Sequence, residues 1–305
     1  MLIEKIDLYG DHRVMLYAYI PTWTTTAGHY PNRTGVVVLP GGAYLMHGGS
    51  EGEPVAQAFV AEGCNAYVLK YSVAPHATFP NATSDVCRAL KLIREHADAW
   101  HQDKDKLAIC GFSAGGHVAA TVGTMWNRKD ILAASGCQAQ EGRPNALILG
   151  YPCITVDVTG QAEMYGFLKG EKTLEELKEL ASAEKFVGPH TPPTFLWNIY
   201  GDKLVPVEHS LLFLSALAQQ DIPYECHTYM KGQHGCALSN PATALGVASR
   251  ESSHVARWFT DCCLWLRELF GVPTLDVPQM DINPEGEGRA HMGVPSIHLP
   301  ESPMK

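Results

Sequence analysis

The sequence predicts an α/β fold, a mainly parallel central sheet with helices on both faces and a small cap insertion. Three observations carry this expectation. Apolar runs of strand length alternate with segments of helical period through most of the chain. The runs are too uniformly apolar for a sheet with one wet face, which points to parallel strands covered on both sides. With 305 residues, 46% of them hydrophobic and 18% charged, the chain has enough apolar material to bury a core of that size.

In chain order, strands are expected at residues 14–20, 35–39, 65–71, 106–111, 146–150, 194–199 and 224–229. Helices are expected at 54–62, 83–100, 114–126 and 208–219; in the second, Val86, Ala89, Leu90 and Ile93 recur at three-to-four spacing and make one apolar face. Each helix supplies a crossover between parallel strands, right-handed by default. Two stretches interrupt the rhythm. Residues 155–193 contain a loop and then TLEELKELASAEKFV, a charged amphipathic helix inserted between two core strands, and read as a cap or lid on the sheet's C-terminal edge. Residues 272–305 are rich in Pro, Gly and Met and hold too few apolar residues to fold alone, so the catalytic domain is expected to span 1–271.

The formal net charge of −9 leaves no basic excess to neutralise phosphates, which argues against nucleic acid or an acidic membrane as partner. Glu4, Lys5 and Asp7 interrupt the first segment where an export signal needs an apolar stretch, and no run reaches the roughly 18 residues of a membrane span. A cytoplasmic setting is the expectation. The nine cysteines lie mostly inside apolar runs, form no C-x-x-C pair and are odd in number, a pattern of reduced, buried thiols. The 14 histidines show neither H-E-x-x-H nor H-x-H spacing, so no metal and no other cofactor is expected. A homo-oligomer is compatible with the sequence but not indicated by it.

The chemistry concentrates in GFSAGGH. Here Ser113 occupies the centre of a G-x-S-x-G motif between a buried strand and a helix that begins near Ala114. A tight strand-to-helix turn strains the backbone, and small residues at Gly111 and Gly115 avoid a clash across the bend. Ser113 then projects above the sheet, with the positive end of the helix dipole beneath it.

A serine hydroxyl needs a base, and the base needs an acceptor that fixes its tautomer. On this fold the order is serine, acid, histidine. Asp202 follows a strand in NIYGDKLVP and reaches the same sheet edge as Ser113; Asp157 and Asp221 are less well placed. His234 lies in KGQHGCAL, a glycine-flanked loop after the last core strand. His117 lies on the helix that Ser113 opens and reads as structural, His209 and His227 as packing or surface residues, and His47 and His101 as peripheral. An oxyanion hole is expected from the N–H of Ala114 and from LPGGAY, where Gly41 and Gly42 permit close approach and Gly42 or Ala43 supplies the second donor. Tyr44, Tyr151, Tyr165 and Trp197 are candidate pocket aromatics.

Taken together, LPGGAY, EGEPVA, LKYSVAP, FPNATSDVCRALKLIREHA, LAICGFSAGGHVAA, GYPCIT, TPPTFLWNIYGDKLVPVEHSLLF and GQHGCAL resemble microbial α/β-hydrolases. These are the acetyl esterases and acetylxylan or feruloyl esterase-like proteins related to the hormone-sensitive-lipase type. The likeness covers about residues 30–270, and its motifs follow the family's order. It implies Ser113, Asp202 and His234 as the triad, LPGGAY as the oxyanion loop, and a short acyl group, acetyl foremost, released from an alcohol such as a sugar hydroxyl. Two departures stand out: Ala43 replaces a glycine common in relatives, and SEGE replaces a more usual basic or histidine-containing approach to EGE. A peptidase on the same fold and a non-catalytic binding homologue are the competing classes.

Overall fold

The computed structural model describes residues 1–22, 32–138, 140–156 and 162–271. The segment 272–305 and Asp157 lie outside them. Eight strands form one sheet: β1 (Leu2–Asp7), β2 (Met15–Ile20), β3 (Arg33–Leu39), β4 (Asn65–Lys70), β5 (Gln102–Phe112), β6 (Ala146–Gly150), β7 (Thr194–Ile199) and β8 (Tyr224–Tyr229). Their spatial order is β1-β2-β4-β3-β5-β6-β7-β8. β2 pairs antiparallel with both of its neighbours, β1 and β4, and all other neighbours pair parallel. This is the expected α/β-hydrolase architecture.

The helices are α1 (Glu53–Ala61), α2 (Asn81–Glu95), α3 (Ala97–Trp100), α4 (Ala114–Met125), α5 (Lys129–Ser135), α6 (Ala162–Lys169), α7 (Leu174–Ala181), α8 (Glu208–Gln219), α9 (Pro241–Ala244) and α10 (Arg257–Phe270). Side chains alternate across the pleat, so each central strand feeds two cores. Val37, Ile109, Leu147 and Leu196 pack with α2, α4, α5 and α8 on one face. Val36, Ala108, Ile148 and Trp197 pack with α1 and α10 on the other.

All seven expected strands, the four expected crossover helices and, as α7, the cap helix form, with shifted ends. The helix expected over 83–100 divides at His96, and β5 begins four residues early, its polar start held by Gln102 beside Arg33. Among the elements additional to those read from sequence are β1 and α10. β1 is an edge strand with exposed, charged residues, so it lacks the apolar signature of the core strands. α10 closes the second core by burying Trp258, Cys262, Cys263 and Leu266. All nine cysteines are free thiols. Among the described residues, no helix is long and apolar enough to cross a membrane.

The described part of the 155–193 insertion packs against α4 and the segment before α2. His117 Nε2–H donates to the Ala181 carbonyl at 2.7 Å, and the Phe79 amide donates to the Leu168 carbonyl at 2.9 Å.

Candidate active site

Strand β5 runs straight into α4, and Ser113 between them has φ 53° and ψ −120°. That backbone is costly for a residue with a β-carbon and is held by the packing around it. A β-carbon on Gly111 would lie 2.3 Å from the Gly115 carbonyl oxygen, and one on Gly115 would lie 2.1 Å from that of Leu39. The two glycines therefore permit the close strand–helix crossing that presents the hydroxyl.

Asp202 follows β7, and His234 lies on the loop after β8, both at the edge where Ser113 emerges. His234 Nδ1 lies 2.6 Å from Asp202 Oδ2, and His234 Nε2 lies 2.9 Å from Ser113 Oγ. A carboxylate only accepts, so Nδ1 carries the proton and Nε2 is free to accept from the serine hydroxyl. The other Asp202 oxygen accepts from the Leu204 and Val205 amides at 2.8 and 3.0 Å. Burial raises this carboxyl, but the bond and charge of His234 and the two amides outweigh it and hold Asp202 below the usual carboxylate range. A depressed value stabilises the fold above the unfolded-chain value of about 4, and that contribution is lost as pH falls through the folded-state value. Asp202→Asn should therefore flatten the acid limb of a stability-versus-pH curve. The same change should lower kcat by about 10³–10⁴-fold, because an amide no longer selects the productive tautomer.

The loop after β3 is strained over three consecutive residues, with φ of 130° at Gly42, 55° at Ala43 and 59° at Tyr44. The expected donors Gly42, Ala43 and Ala114 leave their N–H groups without an acceptor among the described residues. Gly42, Ala43 and Ser113 line one cleft of about 310 Å³, together with His234 and Leu204. Free amides beside the nucleophile are what the developing oxyanion of a substrate requires.

The four candidate pocket aromatics are elsewhere. Tyr44, Tyr151, Tyr165 and Trp197 are each at most 2% exposed, and none lines the cleft. Trp197 faces inward from the pleat of β7, Tyr165 from α6, and Tyr44 and Tyr151 from the loops after β3 and β6, so the rings pack into the core rather than over the strand ends. Two of them support the site. Tyr44 donates through its hydroxyl to His117 Nδ1 at 2.6 Å, which completes the bonds of that buried imidazole. Burial holds His117 down to about 4, a neutral structural residue as its position on α4 suggests. Tyr151 stacks edgewise on Trp197, and its ring centroid lies 4.8 Å from that of His234.

Of the remaining histidines, His209 is buried and its Nδ1 accepts from the Ile154 and Thr155 amides, while His227 bonds to Glu225 on the half-buried β8. His47 lies beside the oxyanion loop, where its Nε2 bonds to the Tyr71 carbonyl and burial holds it to about 4. His101 ends α3 in a left-handed conformation, remote from the cleft lining.

Sequence reading did not single out Glu51. Its side chain is buried, with Oε2 accepting from the Gly41 amide at 2.7 Å and Oε1 from the Tyr151 hydroxyl at 2.7 Å. The Tyr151 oxygen in turn accepts from the Ala237 amide at 3.0 Å, on the loop that carries His234. Trp258 of α10 fixes the same loop through its indole N–H, which donates to the Ala237 carbonyl at 2.9 Å. One carboxylate thus ties the oxyanion loop to the base loop. Burial pushes Glu51 up, against the pull of its two bonds and of the charges on His234 and Arg250. The available signal was an acid, directly after GGS and before the α1 proline, with no solvent-facing helix to explain it. Glu51→Gln keeps one acceptor and turns an NH2 toward a donor, so kcat should fall about 10–100-fold with little change in KM.

The BD-FAE family model matches residues 24–217. The chain is 35% identical over 222 residues to Endo-1,4-beta-xylanase B of Butyrivibrio fibrisolvens, covering 72% of this chain and 35% of that protein. It is 27% identical over 237 residues to an acetylxylan esterase of Xylanibacter ruminicola, covering 75% and 45%. The chain thus spans less than half the length of these two relatives. Among solved structures, an acetyl ester-xyloside bifunctional hydrolase from Caldicellulosiruptor lactoaceticus superposes with a TM-score of 0.72 at 28% identity, over 88% of this chain and 98% of the other.

Proposed function

The chain belongs to the BD-FAE family, and from that premise we propose that it is a serine esterase that removes short acyl groups, acetyl foremost, from an alcohol such as a sugar hydroxyl. The observation that carries the reading is the continuous relay from Ser113 Oγ to His234 at 2.9 Å and from His234 to Asp202 at 2.6 Å. The acetylxylan esterase and the acetyl ester-xyloside hydrolase among its relatives support the acyl and alcohol classes.

In this reading, His234 takes the Ser113 proton as the oxygen attacks the ester carbonyl. Charge on the former carbonyl oxygen is met by the N–H of Ala114 and of Gly42 or Ala43. The intermediate collapses, the carbon–oxygen bond to the alcohol breaks, and His234 returns the proton to the departing oxygen. Water then attacks the acyl-enzyme, again losing a proton to His234, and releases the acid and free Ser113.

The test is a release assay on acetylated xylo-oligosaccharides, other acetylated sugars, feruloyl esters, p-nitrophenyl esters of increasing acyl length and peptide amides. Acetate release from the sugars, with p-nitrophenyl acetate favoured over longer esters, is the expected pattern. Cleavage of the amides without cleavage of any ester contradicts the proposal.

A further inference from the structure

Beside the Ser113 cleft lies a second hollow of about 470 Å³, reached past His234 and lined by Lys203, Gln233 and Arg250. The two share Leu204, His234, Gly235 and Arg250. Arg250 is the only lysine or arginine among the described residues that line the cleft, and it faces both spaces. Its guanidinium makes no hydrogen bond or ion pair with a described residue, and its Nε is buried without a partner. The guanidinium therefore has donors to offer an acceptor that enters the hollow.

The nearby acids do not supply one. Glu51 is near enough for the Arg250 charge to draw its carboxyl down, but its oxygens accept from Gly41 N–H and the Tyr151 hydroxyl, and no hydrogen bond joins it to the guanidinium. Both Asp202 oxygens are taken, by His234 and by the amides of Leu204 and Val205. Nor is the arginine loosely held at its backbone. Its carbonyl accepts from the Ser239 hydroxyl at 2.9 Å, its amide donates to the Val247 carbonyl at 2.9 Å, and the adjacent Ser249 hydroxyl bonds to Gln233 beside the base. The backbone that carries the guanidinium is thus fixed beside the His234 loop.

The direction of the chemistry says which half of a substrate reaches it. His234 delivers its proton to the departing alcohol oxygen, so the alcohol leaves on the histidine side, where the second hollow lies. Leu204 and Leu245, 63% and 64% exposed, offer apolar surface at the rim. Resting on the esterase reading above, we propose that this hollow is a subsite for an alcohol that carries a carboxylate, held by Arg250 in a charge-assisted and, where geometry permits, bidentate contact. The preferred substrate class is then an acylated acidic sugar, such as a uronate, over its neutral counterpart.

The experiment compares a matched pair, acetylated methyl glucuronoside and acetylated methyl glucoside, which differ at C6 as carboxylate or hydroxymethyl. KM for the uronate is expected to be about 5–10-fold lower. That preference should fall to about one in Arg250→Gln, persist in part in Arg250→Lys, and shrink as salt is raised. A binding arm needs no turnover: methyl glucuronoside titrated into Ser113→Ala should bind more tightly than methyl glucoside, and Arg250→Gln in that background should remove the difference. Equal KM values for the pair in the wild type, or equal binding, overturns the subsite while ester hydrolysis stands. Absence of hydrolysis of both esters and of p-nitrophenyl acetate overturns the esterase reading, and the binding arm then still decides the subsite.

Discussion

Ser113→Ala is expected to lower kcat on an acetyl ester by about 10⁴-fold or more, with the folded state retained. The hydroxyl is the one group at the turn that the geometry aims at His234 Nε2, 2.9 Å away. Without it the imidazole has no bound nucleophile to activate, and only water placed by chance remains. His234→Ala should cost about as much, and the double variant little more than either alone, since the two act as a unit. Rates from single turnover and circular dichroism on the same samples separate lost chemistry from lost fold. Independent, additive losses would show that the two residues do not share a step.

Gly115→Ala is expected to be among the most damaging single methyl additions at the described glycines. The added carbon would lie 2.1 Å from the Leu39 carbonyl oxygen and 2.6 Å from that of Pro40, both backbone atoms. A flexible side chain would yield at little cost; the end of a central strand does not. Moving α4 outward would relieve the contact only by opening the core under Val118 and Val122, both fully buried. A loss of about 3 kcal/mol or more follows, read as a thermal midpoint lowered by roughly 6–12 °C. Activity should fall as well, because β3 leads directly into the oxyanion loop.

Local sequence carries the parts of this site that depend on local backbone. G-x-S-x-G after a buried strand places Ser113, and a strand end followed by a short polar loop places Asp202 and His234, because a parallel sheet delivers all its strand ends to one edge. The double glycine in LPGGAY marks the oxyanion loop for the same reason: positive φ leaves a compositional trace. The pocket is a different matter. Tyr44 and Tyr151 follow strand ends, Trp197 lies within β7 and Tyr165 on α6, and which way each ring turns is decided by packing between elements distant in sequence. Trp197 stacks on Trp258 with centroids 5.0 Å apart, across 61 residues of chain. Glu51 and Arg250 are invisible for a related reason. Each has ordinary neighbours in sequence, and only the folded chain shows one carboxylate joining two loops and one guanidinium without a hydrogen bond to any described residue.

The measurement that bears most directly on the proposed chemistry is mass-spectrometric mapping of the protein after reaction with a fluorophosphonate. Phosphonylation confined to the peptide bearing Ser113, prevented by Ser113→Ala and strongly slowed by His234→Ala, is the predicted result. Ester turnover by a protein whose Ser113 stays unmodified, or whose label falls on another residue, would contradict it.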